Sequence, residues 1–102
     1  MKRKKKDNDS DDYNYGYPIS EVWGTYHYLA REIIPRLKAF KALDKHGYCP
    51  AFSGIKTWNQ AIQKMIDAFE LLNHITSYTD EEEQIINEGL ELFSKHFRNL
   101  WD

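Results

Sequence analysis

His46 and Cys49 stand three residues apart in the stretch HGYCP. A thiol becomes a catalytic nucleophile when a base lies within hydrogen-bond reach and a third group orients that base. The flanking residues supply no evident third group and no oxyanion donor, so the pair reads as part of a turn. Glu70 and His74 lie four apart, which places them on one helical face. A bundle di-metal centre draws Glu-x-x-His pairs from two helices, and the chain has none. Glu70 and His74 are therefore expected to form a helix-side pair or to meet the helix dipole. Phosphate-cradling glycine loops, nucleophile elbows and zinc-protease motifs are missing as well. The expectation is a non-enzymatic protein with no cofactor and no metal.

What the sequence offers instead is charge and aromatic surface. Arg31, Lys38 and Lys45 recur every seven residues, with Lys41 between the last two. At about 100° per residue they gather on one side of a helix, either as a solvated face or as a stripe for an anion or a partner. Arg36 lies nearer the apolar side and is expected to pair with a carboxylate. A second group is His46, Tyr48, Trp58, His96, Arg98 and Trp101, together with Lys45. It collects at one end of the molecule if three helices run up, down and up. Such a pole can stack on and neutralise a nucleotide-like anion. It can equally be an aromatic cluster that closes the bundle, which is the ordinary use of tryptophan at such an end.

The elements that must position these groups follow from apolar spacing. Ser20 is a good N-cap, and Val22, Tyr26, Leu29, Ile33, Leu37 and Phe40 recur at threes and fours. The stripe keeps its phase across Pro35, so residues 20–45 are expected to form one helix kinked at that proline. Thr57 with Gln60 reads as a capping box opening a helix over 57–74, with Trp58, Ala61 or Ile62, Met65, Phe69 and Leu72 as its stripe. Thr79 with Glu82 opens a third helix over 79–101, with Ile86, Leu90, Phe93, Phe97 and Leu100. Gly89 costs this helix about 1 kcal/mol against alanine, and a close crossing would explain it. No segment alternates long enough to be called a strand. The expected fold is all-α, a three-helix bundle over 20–102, preceded by an extended Tyr/Pro-rich lead-in at 13–19.

Residues 1–12 carry five basic and four acidic side chains and no apolar residue after Met1, so a disordered charged tail is expected. The KRKKK run either seeks phosphate or is simply solvated. The whole chain of 102 residues has a formal net charge of -2, which gives no global attraction to nucleic acid or membrane. The link after Lys45 is too long for a helix-turn-helix, so specific DNA binding is not expected. One cysteine excludes an internal disulfide and fits a reducing compartment. No apolar run reaches the length of a membrane span, and the basic start is not followed by a signal-peptide core.

The segments YHYLAREIIPRLKAFK, HGYCP, WNQAIQKMIDAFELL and EEEQIINEGLELFSKHFRNLW, from Trp23 to Trp101, resemble a group of small uncharacterised helical proteins encoded by tailed bacteriophages. The resemblance implies a phage origin and expression in the cytoplasm of an infected bacterium, with the virion as the other location. It brings no activity and no functional residues. Three functions stay open: a binding module for a host or phage protein, a sponge for a nucleotide immune signal, and a virion or assembly component. The sponge would form its site at a homo-oligomer interface.

Overall fold

The computed structural model describes residues 13–74 and 76–102, and the tail expected to be disordered lies outside them. The described chain is predominantly helical, so the all-α expectation holds at that level. Its centre is α3, Ile55–His74. Trp58, Ala61, Ile62, Met65, Ile66, Ala68 and Phe69 are all buried on it. They spread over about 160° of its circumference, much wider than one seam. The width has a cause: α2, Thr25–Ala42, and α4, Asp80–His96, pack chiefly on α3 rather than on one another.

α4 begins where its sequence says. The Thr79 hydroxyl accepts from the Glu82 N–H, and the Glu82 carboxylate accepts from the Thr79 N–H, completing the capping box. Gly89 faces α3 at the crossing. A Cβ on it would stand 2.4 Å from the Ala68 Cβ and 2.5 Å from the Lys64 carbonyl oxygen. Only glycine lets the helices approach this closely, and the crossing lies within one chain. Lys64 and Glu88 close its edge at 2.7 Å.

Three expectations about the elements are corrected. The first helix does not run over 20–45. It opens one residue earlier as a five-residue α1, Ile19–Trp23, with Pro18 at the N-cap position making no side-chain cap, and breaks at Gly24. α2 then runs through Pro35 as one element and stops at Ala42. Pro35 is exposed, so the carbonyl its ring leaves without an N–H partner opens to water. Thr57 is not an N-cap: α3 starts at Ile55, and the Thr57 hydroxyl turns back to the Gly54 N–H and carbonyl. The last helix ends at His96, followed by a 3₁₀ turn at Phe97–Asn99. The lead-in is a miniature hairpin, β1 (Tyr13–Asn14) paired antiparallel with β2 (Tyr17–Pro18). Its tip, Tyr15 and Gly16, has φ of 56° and 91°, the double left-handed turn that suits a two-residue hairpin.

The apolar stripes also shift. On α2 the buried residues are Ala30, Ile34 and Leu37, whereas Tyr26 and Leu29 remain exposed. On α4 Ile86 is buried and Phe93 packs on the core, but Leu90 stays exposed, as does Phe97 in the 3₁₀ turn that follows.

Candidate functional site

The pole expected to hold aromatic and cationic groups does assemble, and it is closed. Trp58, 1% exposed, is ringed by Phe40, Phe52 and His96. Phe52 and His96 meet edge to face at 5.0 Å. The faces on which a base would stack are thus already occupied by the chain's own rings. His96, from the last turn of α4, brings its Nδ1 to 3.6 Å from the Cys49 sulfur. The sequence pairs Cys49 with His46 by proximity, but the fold sends His46 elsewhere. Cys49 is 4% exposed, and among the described residues no third group is bonded to His96.

Lys45 is the largest departure from the solvated stripe. It is 5% exposed, the one buried charged residue among those described. Its ammonium donates to the Lys41 carbonyl at 2.9 Å, the Leu43 carbonyl at 3.4 Å and Asn59 Oδ1 at 2.7 Å, and it stands 5.1 Å from the centre of the Phe40 ring. It therefore caps the C-terminus of α2, satisfying a carbonyl that has no N–H partner in its own helix and meeting the negative end of the dipole. Burial pushes its pKa below the ordinary lysine value, opposed by the field of Asp102 and helped by that of Lys41.

Asp102 was not singled out by sequence, because nothing local marks a polar terminal residue. Its carboxylate accepts from the His46 N–H at 3.0 Å, the Gly47 N–H at 3.2 Å and the His46 ring at 3.0 Å. These bonds, the His46 backbone first, hold the carboxyl below its usual range. The contact seats the end of the chain on the turn after α2.

The other expected site residues disperse. Tyr48 is half exposed, Arg98 is exposed and Trp101 is 75% exposed, outside the ring cluster it was expected to join. Lys38 is bound to Glu70 at 2.8 Å, which lowers the Glu70 pKa. Glu70 also meets His74 at 3.1 Å, the expected helix-side pair. Arg36 pairs with Glu32 at 3.0 Å. Lys41 lines a shallow hollow with Lys38, Asn59 and Gln63. Arg31 sits far along α2, its guanidinium 5.2 Å from the Tyr28 ring centre. Arg31, Lys38 and Lys45 are therefore engaged separately, each at a different place, and the series does not form one free stripe.

The open surface lies at the opposite end. The hairpin and α1 fold back along the outer side of α2 and leave a groove of about 780 Å³ lined by Tyr17, Val22, Tyr28 and Leu29, with Glu21, Arg31 and Glu32 among its polar residues. Tyr15 is 91% exposed, Tyr17 62% and Trp23 80%, which is unusual for rings of this size. Periodicity could not find this surface, because Tyr15, Tyr17 and Trp23 precede the regular helix. The clustering of YNYGYP and Trp23 was the available signal.

Fold and surface together define a small helical protein with a buried Trp58 cluster towards one end and an exposed aromatic arm at the other. No protein-family model, no curated protein and no solved structure matches the chain. No described helix is long and apolar enough to cross a membrane.

Proposed function

We propose that this protein is a non-enzymatic binding module, a three-helix bundle of bacteriophage origin that engages a host or phage protein through its N-terminal aromatic arm. The phage origin rests on the sequence resemblance alone. The observation that carries the binding reading is the exposure of Tyr15, Tyr17 and Trp23 beside a groove walled by Val22, Tyr28 and Leu29. Aromatic residues held on a turn and a short helix lose little entropy on contact and dominate interface energetics. Arg31, already positioned over Tyr28, supplies a cation at the groove.

The nucleotide-sponge reading is less favoured, because Trp58 is buried and Lys45 spends its donors on the chain itself. The virion reading makes no demand that separates it structurally from a binding module, and mass spectrometry of purified particles decides it.

The test is affinity capture from lysate of infected cells, followed by reconstitution with the identified partner. Trp23→Ala and Tyr17→Ala are each expected to weaken binding at least tenfold, about 1.4 kcal/mol or more, with helicity unchanged. Lys56→Ala, exposed on the first turn of α3, serves as the control. Retained affinity in both aromatic variants would remove the arm from the function.

A further inference from the structure

A second hollow, of about 580 Å³, adjoins the arm groove and differs from it in chemistry. It is lined by Ser20 of α1, by Gly24 at the break, by His27, Tyr28 and Arg31 of α2, and by Asn73 near the end of α3. None of these is a carboxylate. The Ser20 hydroxyl, the His27 ring, the Arg31 guanidinium and the Asn73 amide can each donate a hydrogen bond. Among the described residues, these four side chains make no hydrogen bond and no ion pair. The hollow is thus rich in uncommitted donors and free of acid.

Local structure aims these groups. His27 and Arg31 lie four apart on α2 and share a face. Tyr28 holds the guanidinium over its ring, 5.2 Å from the centre, and Tyr26 holds the His27 ring by stacking at 4.1 Å. Gly24 keeps the hollow open, because a Cβ there would lie 3.7 Å from the Tyr28 ring and 4.0 Å from the His27 ring. The carboxylates of this region are turned to other work. Glu21 and Glu32 line the arm groove, and Glu32 is bound to Arg36 at 3.0 Å. On α3, Glu70 is bound to Lys38 and His74.

We propose that this hollow binds a phosphomonoester through its phosphoryl group. A guanidinium takes two phosphoryl oxygens side by side, and the donors of α1 and α3 stand on other sides of the hollow for the third. A carboxylate has two oxygens in one plane and would leave part of this donor set unused. The volume of about 580 Å³ exceeds what a bare phosphate fills and lies within the range of roughly 300–1,000 Å³ usual for small ligands, so the organic group of the ester has room beside the phosphoryl. The hollow shares Tyr28 and Arg31 with the arm groove but is lined by none of Tyr15, Tyr17 and Trp23. It therefore stands whether or not the arm engages a protein.

Titration of phenyl phosphate into the isotope-labelled full chain, followed by nuclear magnetic resonance, tests the proposal. Saturable shifts are expected at Gly24, His27, Arg31 and Asn73. Arg31→Gln is expected to weaken binding roughly tenfold or more, and Arg31→Lys, which keeps the charge without the fork, to recover only part of that. Arg31 is exposed, so circular dichroism is expected to be unchanged in both. Gly24→Ala adds a methyl group within the hollow at a φ of -108° that any residue adopts, and is expected to weaken binding as well. Trp23→Ala is expected to bind phenyl phosphate as the wild type does, which separates this site from the arm. Absence of saturable shifts overturns the proposal, and so do shifts that survive Arg31→Gln. Equal affinity for benzoate overturns the phosphoryl group as the ligand, and equal affinity for inorganic phosphate gives the hollow to free phosphate and overturns the ester.

Discussion

Lys45 carries a charge into the interior with no carboxylate in contact among the described residues, and its three N–H groups explain why it can. Two backbone carbonyls and the Asn59 amide oxygen replace water, so the ammonium is hydrogen-bonded though not ion-paired. Asp102 solves the reverse problem, with an anion serving two backbone donors and a ring nitrogen. Its folded-state pKa is depressed, so its contribution is fully present above the ordinary carboxylate range and is lost as pH falls through the folded value. Asp102→Asn is therefore expected to lower Tm at neutral pH, with the gap to wild type closing in acid below that value. Thermal scans of both proteins from pH 7 to pH 2 check this, and a gap independent of pH would show that the carboxylate charge is irrelevant. The residue scale was the least legible in sequence. The Lys45 acceptor Asn59 is fourteen residues away and the Asp102 donors are more than fifty away, and no spacing rule reaches that far.

The helices were legible to different degrees, and the differences have causes. The Thr79–Glu82 box is a local device, closed by atoms three residues apart, and it forms as its spacing predicts. The Thr57 box fails because Gly54 and Ser53 offer the Thr57 hydroxyl nearer partners and the helix starts earlier. The stripe on α3 is read correctly because neighbours cover it on both sides. The stripes on α2 and α4 are rotated, because each of these helices meets α3 on one flank only. Gly89 was correctly suspected as a crossing, and its partners are now Ala68 and Lys64. Gly89→Ala gains about 1 kcal/mol of helix propensity but forces a methyl group against a backbone oxygen that cannot move away. The expected net loss is about 1–2 kcal/mol, read as a lower urea midpoint with an unchanged slope. Adding Ala68→Gly is not expected to restore stability, since the Lys64 carbonyl stays in place.

For the molecule as a whole, net charge hides a strong internal partition. The -2 total conceals a cationic α2 and an anionic α4 on either side of an α3 that is neutral overall. The sequence by itself determined the helical class, the α4 capping box and the close approach at Gly89, because periodicity, caps and glycine act over a turn or two of chain. Only tertiary structure decided that Arg31, Lys38 and Lys45 are engaged separately, that Trp58 is buried among Phe40, Phe52 and His96, and that the aromatic arm stays open. Those outcomes depend on which faces of distant helices meet, and burial is a property of the assembled chain rather than of any segment within it.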